Sequence, residues 1–210
     1  MRSNGFILLF SILFILVIDL GLYTQLRHFL SRHKGRLFYW LHSLLFVAGL
    51  FCYYFCVPRL KGPETYYWIG LGIGILFLFY IPKFIFILTN LLCLPFERIR
   101  PSSGKRIRWT AAVISGLFFI VILYSITYNR YNYKTGSTSV CFPQLPPAFE
   151  NFKIVQLSDI HLGSHSVNYR GIPLLVNRVN RLAPDVILFT GDMVNNFAAE
   201  LRPWIKELSR

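Results

Sequence analysis

Four long runs of apolar residues dominate the first part of the chain. Gly5–Leu22 is broken only by Ser11 and Asp19, and Leu37–Val57 carries no formal charge, with His42 its most polar member. Tyr66–Leu94 is longer and holds Pro82 and Lys83 past its middle, while Trp109–Tyr128 has no charge at all. A helix needs about 20 apolar residues to cross a hydrocarbon core. Each run therefore predicts a transmembrane helix, the third with enough surplus to tilt or to kink at Pro82. None shows the polar stripe of an amphipathic helix, which argues against the buried core of a soluble bundle. The first run is preceded by a single Arg2 and followed by Tyr23-Thr24-Gln25-Leu26, with no small-x-small cleavage site. It reads as a retained helix rather than a signal peptide.

The pattern changes after Tyr128. Residues 129–152 are rich in Tyr, Asn, Ser, Thr and Pro, the composition of a linker. Lys153–Ser158 is short, β-branched and alternating, a strand candidate. Asn168–Leu182 places Ile172, Leu175, Val176, Val179 and Leu182 on one helical face, with Pro173 in the first turn. Val186–Thr190 is a second apolar strand, entered through Pro184-Asp185 and ended by Gly191. Strand, helix and strand in this order predict a βαβ unit with parallel strands and a right-handed crossover. An amphipathic segment, Phe197–Leu208, follows and is interrupted by Pro203. The domains predicted are thus a four-helix transmembrane domain over 1–128, a linker over 129–152 and an α/β segment over 153–210.

Charge gives these elements a direction. The net charge is +13, and residues 1–149 hold 15 of the 22 Lys and Arg but only Asp19, Glu64 and Glu97 of the 9 acids. The basic excess sits in the apolar part, so a bilayer accounts for it and no nucleic-acid partner is expected. Loop one (Tyr23–Arg36) contains Arg27, Arg32, Lys34 and Arg36 with His28 and His33; loop three (Pro95–Arg108) contains Arg98, Arg100, Lys105, Arg106 and Arg108 against Glu97. Loop two offers only Arg59 and Lys61. Positively charged loops stay in the cytoplasm. Both termini, and everything after Tyr128, are therefore expected outside it. Tyr39, Trp40, Tyr66–Trp68, Trp109, Tyr124 and Tyr128 flank the runs as interfacial anchors. Asp19 and Lys83 are the intramembrane charges; Asp19 lies about a turn from the cytoplasmic end and Lys83 can snorkel, so neither is expected to serve transport. Cys52, Cys56, Cys93 and Cys141 show no metal spacing.

Candidate chemistry lies where a parallel sheet puts it, beyond the carboxyl ends of the strands. The first strand runs into Asp159-Ile160-His161 and the second ends in Gly191-Asp192. In an extended segment, residues two apart point the same way, so Asp159 and His161 can reach one ion while Ile160 turns to the core. Gly191 permits a sharp exit that aims Asp192 back at the pair. A lone Asp-x-His is commonly loop chemistry. One Asp-x-His together with Gly-Asp at the end of the next strand is far less so. One imidazole and two carboxylates suit manganese, iron or zinc.

Lys153–His161 with Leu162-Gly163-Ser164, followed after one helix by Ala183–Asn195, resembles the start of the calcineurin-like metallophosphoesterases, and is similar to the bacterial members anchored by amino-terminal membrane helices. The resemblance is close over the last part of the chain and one of layout over the membrane part. It implies the first βαβ unit of an α/β metallophosphoesterase sandwich, incomplete here, behind four transmembrane α-helices. It also implies that Asp159 and His161 bind a first metal, that Asp192 bridges two divalent ions, and that a metal-activated hydroxide attacks phosphorus. The family pattern continues with a Gly-Asn-His-Asp/Glu motif and two further His motifs, none of which occurs before Arg210. The expectation is a truncated copy, or one completed by another chain, that binds at most one metal and is inactive by itself. His165 and Asn195 are not counted as ligands. The substrate expected is a phosphorylated small molecule or lipid. The competing class is a non-enzymatic membrane protein or pseudoenzyme that keeps the anchor and half a metal site; a small transporter has only Asp19 and Lys83 in its favour.

Overall fold

The computed structural model describes residues 2–27, 30, 33–59, 62–167 and 170–210. His28, Arg32 and Lys61 of the predicted loops, and Asn168 at the predicted helix start, lie outside the described residues. Four long helices come first: α1 (Arg2–Leu26), α2 (His33–Cys56), α3 (Thr65–Ile99) and α4 (Gly104–Thr127). All are long and apolar enough to cross a membrane. Then follow β1 (Ile154–Leu157), α5 (Gly171–Arg181), β2 (Val186–Phe189) and the short α6 (Ile205–Leu208). Packing divides the chain into two compact units, Met1–Arg59 with Leu71–Asn129, and Leu60–Gly70 with Arg130–Arg210.

In the first unit, Ile15 and Ile18 of α1 and Tyr80 of α3 form the buried centre. Phe46, Val47 and Leu50 of α2 close over it, with Leu76 and Ile87 of α3. The outer faces expose Phe10, Leu44, Leu92 and Val121. That inversion, apolar outside as well as inside, is what a lipid solvent permits. α3 runs unbroken through Pro82 and Pro95. At Pro82 the missing N–H leaves a backbone carbonyl without its usual donor, and membrane helices tolerate this where a neighbour supplies polar support. The carbonyl so freed is that of Leu78; the Ser115 hydroxyl of α4 makes a separate contact, donating to the Pro82 carbonyl itself at 2.7 Å and tying α4 to α3 beside the proline.

The two intramembrane charges depart from the sequence expectation. Lys83 does not snorkel away. Its Nζ donates to Asp19 Oδ1 at 2.7 Å, and the Asp19 side chain is buried. Helical periodicity places both residues on faces that meet across α1 and α3, and burying the pair together removes the cost of leaving either charge alone in hydrocarbon.

In the second unit β1 and β2 are parallel, with Ile154 opposite Val186 and Leu157 opposite Phe189. α5 begins at Gly171, with Pro173 in its first turn where no intrahelical N–H is needed. Leu162, Ile172 and Trp204 are the buried centre, and Ile160, Val176, Met193, Val194, Leu201 and Leu208 pack against it. The amphipathic tail is not one α-helix. Ala198–Trp204 winds as a 3₁₀ helix and α6 starts only at Ile205, because Pro203 cannot donate the bond that an α-helix would require there. All four residues of β2 are exposed, on both faces of the sheet.

Candidate metal centre

The loops leaving the two strands stay zipped together beyond the sheet. Thr190 N–H donates to the Leu157 carbonyl, Asp159 N–H to Gly191, His161 N–H to Asp192 and Leu162 N–H to Met193, all between 2.8 and 3.0 Å. This continued ladder carries Asp159, His161 and Asp192 out of the sheet side by side. One ligand atom from each lies within 4.8 Å of the other two. His161 Nε2 is 3.9 Å from Asp192 Oδ2, and the Ser158 hydroxyl donates to Asp159 Oδ2. Asp159 and Asp192 are exposed and His161 is half-buried, so the cluster opens to solvent.

The route to this convergence differs from simple strand alternation. Asp159, His161 and Asp192 all adopt left-handed backbone, with φ of 55°, 49° and 52°. Such conformations are uncommon outside glycine, and Asn151 and Ala183 adopt them as well. Gly191 has φ 138°, a region that side-chain-bearing residues rarely enter, so the exit of β2 requires glycine. Ile160 points into the core between the two left-handed residues.

The donor set fits a divalent cation. Two donors on one ion, each with a bond of about 2.1 Å, can stand at most about 4.2 Å apart. The observed span needs a closure of only about half an ångström, which exposed carboxylate rotation supplies. His161 Nδ1 is buried and has no hydrogen-bond partner among the described residues. The ring nitrogen that faces Asp192 is the other one, Nε2.

Sequence reasoning missed Glu200. Its carboxylate is buried in the second unit and accepts the N–H groups of Asn195, Asn196 and Phe197 at 2.6, 3.2 and 3.2 Å. It thereby holds the loop that follows Asp192. Gly163 allows this close approach, since a Cβ there would overlap the Glu200 carboxylate. Asn195 shapes the same turn, its amide donating to the Ser164 hydroxyl at 3.0 Å. His165 lies apart from the ligand cluster, buried, with Nε2 3.2 Å from the Ile160 carbonyl. Burial, then the nearby Arg130 charge, push its pKa down.

Apolar spans followed by a βαβ unit with Asp-x-His and Gly-Asp at adjacent strand ends define a multi-pass membrane protein carrying part of a metallophosphoesterase domain. Residues 1–130 match the family model for the transmembrane domain of probable calcineurin-like phosphoesterases, and residues 152–210 match that for calcineurin-like phosphoesterases. The chain belongs to this transmembrane calcineurin-like phosphoesterase family. It is 28% identical over 170 residues to a transmembrane protein with metallophosphoesterase domain from Danio rerio, covering 76% of this chain and 38% of that one. A Bos taurus protein of the same description is 40% identical over 67 residues, 32% of this chain and 15% of the relative. An uncharacterized metallophosphoesterase of Campylobacter jejuni is 26% identical over 140 residues, 64% of this chain and 37% of the relative. The chain thus spans well under half the length of these relatives. No solved structure matches it.

Proposed function

We propose that the protein is a membrane-anchored, metal-dependent phosphoesterase that hydrolyses phosphate ester or pyrophosphate bonds outside the cytoplasm. In this reading residues 1–128 are the anchor, 129–152 the linker, and 153–210 the amino-terminal portion of the hydrolase domain. The observation that carries it is the convergence of Asp159, His161 and Asp192 within 4.8 Å beyond the ends of two parallel strands. These three residues would hold a divalent ion, with manganese, iron and zinc all suited to the donor set. Such an ion supplies Lewis acidity, lowering the pKa of water and offsetting charge that develops on phosphate oxygens. Asp159 and Asp192 bring the negative charge that retains the cation. The Ser158 hydroxyl orients Asp159, and Glu200 fixes the loop behind Asp192.

Location supports a substrate close to the bilayer. Only residues 129–152 separate the last span from β1, so a phosphorylated lipid, or a small phosphorylated molecule near the surface, is within reach. The positive charge of loops one and three supports the outward orientation. One specific observation favours the non-enzymatic alternative for these residues taken alone: the described residues contain a single cluster of three potential ligands.

The test is a Mn²⁺ titration of the purified full chain by electron paramagnetic resonance. One bound ion is expected, with Asp159→Ala, His161→Ala and Asp192→Ala each weakening binding by roughly 100-fold or more, above the loss typical of an outer-shell partner. Equal binding by the unsubstituted chain and Asp192→Ala overturns the assignment.

A further inference from the structure

Where α3 passes into α4 through residues 100–103, the two helices line a cavity of about 320 Å³. Arg100, Ser102 and Arg106 line one part of it, and Cys93, Phe96 and Ile107 another. We propose that this cavity binds an anionic phospholipid, its phosphate held by Arg100 and Arg106 and its upper acyl chain laid along Cys93 and Phe96.

Charge is the first argument. Loop three has five basic residues and one acid, Glu97, and that acid is already paired with Arg108 at 3.3 Å. Neither the Arg100 nor the Arg106 guanidinium has a hydrogen-bond or ion-pair partner among the described side chains. Two unpaired guanidiniums on one cavity present forked donors whose geometry matches phosphate oxygens. Ser102 and Ser103 add hydroxyl-bearing residues to the same lining.

Shape selects a lipid over a free anion. A lone phosphate would need only the arginine end. The lining instead continues along α3 from Arg100 back to Thr89, eleven residues or about 16 Å of helix. Over that length it passes from the charged Arg100, through Phe96, to the uncharged Cys93 and Thr89 within the apolar span of α3. Ile99 and Trp109 are largely exposed beside the mouth, as interfacial side chains are. Basic pockets between membrane helices are the expected seats of anionic headgroups. The inference rests on the membrane-anchored reading but not on the metal site, and it does not depend on which way the protein faces.

The full chain would be placed in nanodiscs of phosphatidylcholine with and without phosphatidylglycerol, and retained lipid counted by native mass spectrometry. One phosphatidylglycerol per chain is expected to survive, with Arg100→Ala/Arg106→Ala reducing its retention at least about 10-fold. Arg98→Ala/Lys105→Ala removes the same charge from the same loop outside the cavity and should stay within about twofold. Equal loss in both double variants means diffuse attraction to the leaflet and overturns the site. So does equal retention of phosphatidylcholine. Displacement of the lipid by millimolar inorganic phosphate or glycerol 3-phosphate would show a free-anion site and overturn the lipid assignment. Mn²⁺ binding measured on the same samples reports the metal site separately, so failure of one is not failure of the other.

Discussion

Lys83 Nζ stands 2.7 Å from Asp19 Oδ1, joining α3 to α1 in the interior of the membrane unit. The other carboxylate oxygen accepts from the Ser43 hydroxyl at 2.6 Å and the Tyr80 hydroxyl at 2.9 Å. The ammonium also lies 3.4 Å from His42 Nδ1 and over the Tyr80 ring, 4.2 Å from its centre. Three helices therefore share one polar knot. Three donors from α2 and α3 on the one carboxylate of α1 specify how the helices meet.

Breaking the pair from one side should be costly. Lys83→Met leaves the Asp19 carboxylate buried without its counter-charge, and a loss of about 3 kcal/mol is expected. Asp19→Leu combined with Lys83→Met removes both charges and should recover most of that loss, because an apolar pair of similar volume needs no desolvation. Reversible unfolding of the detergent-solubilised chain measures both. A double variant as unstable as the single one would show that the pair stabilises through something other than mutual neutralisation.

Orientation gives a second prediction. Loops one and three hold nine Lys and Arg between them, against two in loop two. A phosphatase reporter that works only outside the cytoplasm should be active when fused after Arg130 and silent when fused near Arg32. The reverse pattern places the metal cluster in the cytoplasm and removes the external substrate from consideration.

Much of this was legible in the sequence for a simple reason. A bilayer demands about 20 apolar residues per helix, so the four spans are written into composition, and a parallel βαβ unit announces its site at its strand ends. What the pattern could not carry was relative rotation. Asp19 and Lys83 are 64 residues apart, and hydropathy says nothing about which faces of α1 and α3 meet. The left-handed backbone at Asp159, His161 and Asp192 was equally hidden, because period-two alternation offers a different route to the same convergence. Glu200 looked like an ordinary charge on an amphipathic segment. Only the fold turns it inward onto three backbone N–H groups.

That inward carboxylate makes a third prediction. Glu200→Ala strips the acceptor from three N–H groups behind Asp192, and charge-assisted bonds of this kind are worth about 1.5–3 kcal/mol. A comparable loss of stability is expected in the second unit, with Mn²⁺ affinity reduced roughly 10-fold, the effect typical of outer-shell partners. Gly163→Ala should act in the same direction, since its methyl would displace the Glu200 carboxylate. Calorimetric titration separates the two roles. Unchanged metal affinity in a destabilised Glu200→Ala protein would confine Glu200 to structure.

His165 supplies a pH dependence. Burial and the Arg130 charge lower its folded pKa below the usual histidine value. The unfolded chain therefore binds the proton first as pH falls past about 6.5, and stability declines from there down to the folded pKa, while above about 6.5 the contribution is fully present. The metal-free chain should melt at a lower temperature at pH 5.5 than at pH 7.5, and His165→Phe should flatten that slope. An unchanged slope would assign the pH dependence to other groups.

The last prediction concerns turnover. Two-metal phosphoesterases clamp the attacking and leaving oxygens between ions about 3.5–4 Å apart, which needs ligands for both ions. The described residues bring together one set, Asp159, His161 and Asp192. Beside it β2 exposes Ile187 and Leu188, on opposite faces of the sheet. Parallel sheets are normally covered on both faces, and an uncovered β2 gives the ligand loops little rigid support. The 210-residue chain on its own should therefore bind one Mn²⁺ yet hydrolyse bis-p-nitrophenyl phosphate little faster than buffer, and Asp192→Ala should remove the binding without visibly changing that rate. Robust Mn²⁺-dependent hydrolysis, abolished by Asp192→Ala, would contradict this. It would mean that one ion suffices, or that a second copy of the chain lends the missing ligands; dilution would distinguish the two, because only the second loses activity as the copies separate.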